Sequence, residues 1–193
     1  MSILSNLLFY LVGMWLQKLI LISSCKNDSN RVFSLGKKLS VFLSHKHSEI
    51  APLKRVAYLL EHLNSSIYVD WLDPSMPART CGRTAENIKE KIKKYDKFIL
   101  VATEGAIASK WCNWELGFGD AQKYAYGKIA LFPIRYDEKD WSESEYLELY
   151  PVIGYIDNYQ YSAEFNQYLF TSYYVFYHYG TKKAIKLADW LSR

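Results

Sequence analysis

From Leu39 onward the chain alternates short β-branched or apolar runs with amphipathic stretches, and this alternation limits its folds more than any other feature. Leu39 to Ser44, Ile67 to Trp71, Phe98 to Ala102 and Ile129 to Ile134 read as strands, the third apolar throughout. Continuous rather than alternating apolar strands belong to a parallel sheet covered on both faces. Between them, Ile50 to Leu63 places Leu53, Val56, Ala57, Leu60 and Leu63 at helical spacing. Thr84 is placed to cap a helix whose apolar face is Ile88 and Ile92, and a further helix runs from about Lys110 to Ala125. Val152 to Ile156 reads as a fifth strand and Thr181 to Leu191 as a closing helix. The expected fold is α/β, a flavodoxin-like open parallel sheet with helices on both faces. Ligands of such sheets collect at the carboxyl ends of the strands, near the switch in strand order. The loops after Ser44 and Trp71, and the helix after Thr103, are therefore the places to search.

The first part of the chain is organised differently. Residues 1–24 form an apolar stretch with the expected character of a hydrophobic helix, 25–38 a polar linker, and 39–193 the α/β domain. Ile3 to Ile22 has about the length that crosses a bilayer as a helix. No Lys or Arg precedes it, whereas Lys26, Arg31, Lys37 and Lys38 follow, a bias that would hold the rest of the chain in the cytoplasm. Asn6, Gly13 and Gln17 fall near one helical stripe, so a helix packed on the domain or on a partner is the alternative to an anchor at the inner face of the membrane. A cleaved signal is the third reading, weakened by the missing positive charge before the apolar stretch.

Composition excludes general disorder: half the residues are hydrophobic and 23% charged. The formal charge of +4 conceals an asymmetry, because residues 26–97 hold 14 Lys/Arg against 8 Asp/Glu while 136–170 hold 1 Lys against 8 acids. That suits an anionic ligand, self-association or an anionic surface, unless it is ordinary solvated charge on helix faces. No Arg-rich stripe or binding motif points to nucleic acid. Cys25, Cys81 and Cys112 lie far apart with no CxxC pair, which argues against a disulfide scaffold and fits a reducing compartment, with Cys112 as a thiol in the core. Thirteen of the 17 tyrosines lie from Tyr124 onward, an enrichment best read as packing.

The usual catalytic signatures are absent. There is no Walker A sequence and no GxSxG elbow, and Gly117-Phe118-Gly119 lacks the third glycine of a dinucleotide fingerprint. His45 and His47 lie two apart, but two imidazoles without a third ligand rarely hold a metal, so none is expected. The informative stretch is Ser109-Lys110-Trp111-Cys112-Asn113-Trp114-Glu115-Leu116. Ser109 is placed to cap the helix, Trp111 and Glu115 share a face at i, i+4, and the helix dipole there favours an ionised Glu115. By itself such a Glu is most often an exposed dipole partner.

This stretch resembles the S-x-W-C-x-x-E-L motif of the Toll/interleukin-1 receptor (TIR) domain, as found in its enzymatic plant and bacterial members. Val41-Phe42-Leu43-Ser44 resembles the opening strand of that family. Tyr68-Val69-Asp70 with the Pro- and Gly-containing segment after it resembles its second strand and BB loop, and Phe98-Ile99-Leu100-Val101 its third strand. Together the matches span about Leu39 to Tyr136.

The resemblance implies that Glu115 is catalytic and that NAD+ is the substrate, with no separate cofactor. It places the nucleotide beside Ser44, His45 and Lys46, then Asp70, Trp71 and the Arg79 region. In this chain Ser44 is followed by His45-Lys46-His47, not by the Phe-Arg-Gly of plant members. Nicotinamide leaves NAD+ as a neutral molecule, so its departure needs no general acid. One ionised carboxylate held by the ribose hydroxyls can stabilise the oxocarbenium ion that remains. At its unperturbed pKa Glu115 would be ionised at neutral pH, and Trp71 and Trp111 could exclude water or stack on the rings. Water as acceptor would give ADP-ribose, and an internal atom a cyclic isomer. The family further implies TIR–TIR self-association and, by similarity to antiphage systems such as Thoeris, a nucleotide product that reaches a separate effector. The alternatives are a non-catalytic TIR interaction module and, more distantly, another flavodoxin-like N-glycosidase such as a nucleoside deoxyribosyltransferase.

Overall fold

A computed structural model describes residues 38–77, 81–134 and 145–193. The expected apolar helix of residues 1–24, nearly all of the linker, and Arg79 lie outside the described residues. Among the described residues no helix is long and apolar enough to cross a membrane.

The chain runs β1 (Ser40–Ser44), α1 (Ile50–His62), β2 (Ser66–Tyr68), a 3-10 turn (Asp70–Leu72), α2 (Gly82–Lys94), β3 (Lys97–Ala102), the short α3 (Glu104–Ile107) and α4 (Lys110–Lys123). It continues through β4 (Ile129–Pro133), β5 (Val152–Ile156), a small ribbon of β6 (Gln160–Ser162) and β7 (Gln167–Leu169), β8 (Ser172–Tyr177), β9 (Lys183–Lys186) and α5 (Leu187–Trp190). The main sheet has the order β2-β1-β3-β4-β5-β8-β9. The first five strands are mutually parallel, and β8 and β9 add antiparallel strands at one edge. The expected parallel sheet is thus correct over β1–β5, in the flavodoxin-like order, and incomplete beyond it.

Alternation along β1, β3 and β4 assigns their side chains to two cores. Phe98 and Leu100 of β3 join Phe42, Ile129 and Leu131 beneath Ile88 and Ile92 of α2 and Cys112 and Leu116 of α4. Ile99 and Val101 join Val41, Leu43 and Phe132 beneath Leu53, Val56 and Leu60 of α1 and Leu187 and Trp190 of α5. Each fully buried aliphatic or aromatic side chain contributes about 1.5–3 kcal/mol, so both faces need helical cover and the apolar run of β3 follows. Helix α4 lies unusually close to the sheet. A Cβ at Gly119 would come within 2.9 Å of the Phe98 ring, which itself stacks on Phe42 at 5.6 Å. The second glycine of Gly117-Phe118-Gly119 therefore serves helix–sheet packing.

Several local expectations are corrected. The strand placed at Ile67 to Trp71 ends at Tyr68, because the chain turns into the 3-10 segment that carries Asp70 and Trp71. Cys81 rather than Thr84 occupies the cap of α2, and the Thr84 hydroxyl reaches back to accept the Cys81 backbone N–H at 3.1 Å. Thr181 to Leu191 is not a closing helix. Lys183–Lys186 pairs with β8, and only Leu187–Trp190 is helical, locked by the Trp190 Nε1–H donating to the Gly127 carbonyl at 2.9 Å. The late tyrosines divide between packing and surface: Tyr150 and Tyr174 are buried, whereas Tyr126, Tyr159, Tyr161, Tyr168 and Tyr179 are exposed.

Candidate active site

The carboxyl ends of β1 and β2 and the amino-terminal turns of α2 and α4 enclose a cleft of about 340 Å³. Its walls are His45, Lys46, His47 and Ser48 after β1, Asp70 after β2, Thr84 and Ile88 of α2, and Ser109, Trp111, Cys112 and Glu115 of α4. It opens where β1 lies between β2 and β3, the expected place in a sheet of this order.

Local chemistry sets each wall. Ser109 is the N-cap of α4, its Oγ accepting the Cys112 backbone N–H, as the sequence predicts. The Asn113 side chain donates to the Ile107 carbonyl at 2.7 Å and ties α4 to the preceding short helix. At the far end of α4, the buried Lys123 ammonium donates to the carbonyls of Lys93 and Tyr95, closing the last turn of α2. The loop after β2 is anchored at Asp73. That carboxylate pairs with Lys91 at 2.6 Å and accepts from the Tyr68 hydroxyl at 2.9 Å and from Ser75, contacts that hold its pKa well below the usual carboxylate range.

Glu115 is buried, with 6% exposure, in the second turn of α4, and its Oε2 accepts a 2.6 Å hydrogen bond from the Ser44 hydroxyl at the end of β1. Desolvation raises its pKa to about 7; the Ser44 bond and His47 pull the other way, and Asp70 adds to the rise. The expectation of an ordinary carboxylate favoured by the helix dipole is therefore corrected, because burial outweighs the dipole and the hydrogen bond together. Glu115 is therefore a buried, hydrogen-bonded carboxylate in the cleft wall and not the exposed dipole partner such a Glu most often is.

The other predicted residues fall as follows. Ser44, His45, Lys46, Asp70 and Trp111 come together around the cleft. Trp71 takes its place in the 3-10 turn by its backbone, and Arg79 lies outside the described residues. Trp111 is 40% exposed, with Trp114 edge-on at 5.3 Å, so its indole stands at the surface of the cleft and not in the core. Cys112 is buried, as expected, and burial pushes its thiol up to about 11.

His47, which is not among the predicted site residues, also lines the cleft. Its Nε2 lies 2.7 Å from Asp70 Oδ2, and that hydrogen bond raises its pKa, burial working against it. Its i, i+2 spacing from His45 was the available signal. The strand ends at Ser44, however, and the two rings instead stand at a tilt with centroids 5.4 Å apart. Burial lowers the pKa of His45, so its imidazole is neutral at pH 7.

A family model described as "TIR domain" matches residues 41–169. Strands β8 and β9, which continue the same sheet, lie beyond the match. The chain is 29% identical over 143 residues to a Bacillus cereus (strain MSX-D12) protein named "Probable 3' cyclic ADP-D-ribose synthase ThsB'", covering 71% of this chain and 69% of that one. It is 27% identical over 94 residues to a Cytobacillus dafuensis protein named "Putative cyclic ADP-D-ribose synthase TIR2", covering 47% of this chain and 24% of that one.

Proposed function

We propose, from the premise that this chain belongs to the TIR domain family, that it cleaves the nicotinamide–ribose bond of NAD+ and closes the remaining nucleotide into a cyclic ADP-ribose. The observation that carries this reading is the Glu115 carboxylate, buried in a cleft at the switch of the sheet and held by Ser44. Ionised Glu115 faces the ribose, binds its hydroxyls and stabilises the oxocarbenium charge as neutral nicotinamide departs. Placing that charge in a low-dielectric wall strengthens the interaction and costs no solvent reorganisation during reaction. Trp111, exposed at the rim, offers an aromatic face to a ring of the dinucleotide.

The names of the two relatives support cyclisation over hydrolysis. In this reading the product acts as a diffusible signal to a separate effector in antiphage defence, and copies of the chain associate through TIR–TIR contacts. Full-length protein incubated with NAD+ tests the activity. Nicotinamide release is expected from wild type and is lost, by about 100-fold or more, in Glu115→Gln and Glu115→Ala. Release that survives both substitutions refutes the role of Glu115, and ADP-ribose as the sole product refutes cyclisation.

A further inference from the structure

We propose that His45, His47 and Asp70 form a binding site for a divalent transition-metal ion of the zinc class, set in the wall of the Glu115 cleft. One donor atom from each of the three lies within 4.8 Å of the other two. The third donor that the sequence does not reveal is Asp70, brought beside the histidines by the parallel pairing of β1 with β2.

His45 supplies an independent observation. Its Nδ1 lies 3.3 Å from the Leu43 carbonyl, which can only accept, so the Nδ1 carries the proton and Nε2 the lone pair. That Nε2 is buried and has no hydrogen-bond partner, on a residue only 6% exposed. A buried acceptor left bare costs about 1–3 kcal/mol. An imidazole pinned through one nitrogen by a backbone carbonyl, with the other nitrogen left for an ion, is the arrangement that metal-ligating histidines adopt.

His47 provides the entry path. Its side chain is 65% exposed while Asp70 is 11% exposed, so the outer imidazole can turn without disturbing the core. Ligands of tetrahedral zinc with bonds of about 2.0–2.1 Å stand about 3.4 Å apart. His47 Nε2 and Asp70 Oδ2 are already closer than this, and the ion takes the place of the proton between them, which passes to solvent. Two imidazoles and one carboxylate select zinc and its borderline neighbours over magnesium or calcium, which take oxygen donors. Because all three donors line the same cleft as Glu115, a bound ion and a nucleotide ribose exclude each other, and the ion inhibits. Binding itself does not depend on the proposed NAD+ activity; only the inhibition does.

The test uses full-length, chelator-treated protein titrated with zinc by calorimetry and with cobalt(II) by visible absorption, both without NAD+. One ion per chain is expected, with affinity at least 10-fold weaker in His47→Gln and Asp70→Asn and unchanged in His62→Gln, His178→Gln and Cys112→Ser. His47→Gln alters an exposed side chain, so its result stands even where substitution of buried His45 impairs folding. No saturable binding below about 1 mM, a typical weak-site limit, would overturn the proposal, as would binding unaffected by His47→Gln and Asp70→Asn. In a separate arm zinc slows nicotinamide release by wild type and not by His47→Gln. Binding without slowing would overturn the inhibitory role and leave the site.

Discussion

Replacing Ser44 with alanine removes the hydroxyl that donates to Glu115 Oε2 at 2.6 Å. A buried hydrogen bond to an ionised group is worth about 1.5–3 kcal/mol, and 1.36 kcal/mol corresponds to one pKa unit. The bond favours the charged carboxylate, so its loss raises the Glu115 pKa from about 7 by about one to two units. At pH 7 the ionised fraction then falls from about one half to between about a tenth and a hundredth, and the rate falls about 5- to 50-fold. The assay is kcat/KM for nicotinamide release across pH 5.5–9.5, since that ratio reports groups of the free enzyme. Wild-type activity should climb through about pH 7, and Ser44→Ala should climb through about pH 8–9 and recover most of its deficit at alkaline pH. A uniform loss at every pH, with the acid limb unmoved, would refute the argument that this bond tunes the charge on Glu115.

Glu115→Gln should stabilise the fold in alkaline solution. The native pKa is raised from 4.5 to about 7, so the wild type has its full stability below about 4.5 and loses about 3 kcal/mol as pH rises through 7. Thermal unfolding at pH 8 should therefore show the variant melting about 6–12 °C higher, with most of the gap gone by pH 5; equal melting at pH 8 would contradict it. Gly119→Ala forces a methyl into the Phe98 ring, and overpacking of about 1–3 kcal/mol outweighs the roughly 1 kcal/mol that alanine gains in a helix. A lower melting temperature checks this, and a higher one refutes the close approach of α4. Trp111→Ala, at the exposed rim, should cost no more than about 1.5 kcal/mol of stability while raising KM for NAD+ with kcat little changed; a purely kcat effect would place the indole elsewhere.

The core elements were legible because their chemistry is local. Val41 to Leu43, Phe98 to Ala102 and Ile129 to Phe132 are apolar on both sides of the strand, and only a doubly covered sheet satisfies that pattern. Ser109, Trp111 and Glu115 were readable as a capped helix with a shared face. The Glu115–Ser44 bond joins residues 71 apart in sequence, and the His47–Asp70 bond joins residues 23 apart; no periodicity reports such pairings. The same limit explains the raised Glu115 pKa, which depends on how much of the fold closes over the carboxylate. The C-terminal segment differs for another reason. Ala184, Leu187 and Leu191 have helical spacing, but pairing with β8 supplies backbone hydrogen bonds that propensity cannot anticipate.

Strand β9 closes one flank of the sheet with four residues and carries an exposed lysine at each end, Lys183 and Lys186. A second copy approaching that flank to extend the ladder would bring like charges together along a contact too short to compensate. Growth by edge addition is thus discouraged on this side of the sheet.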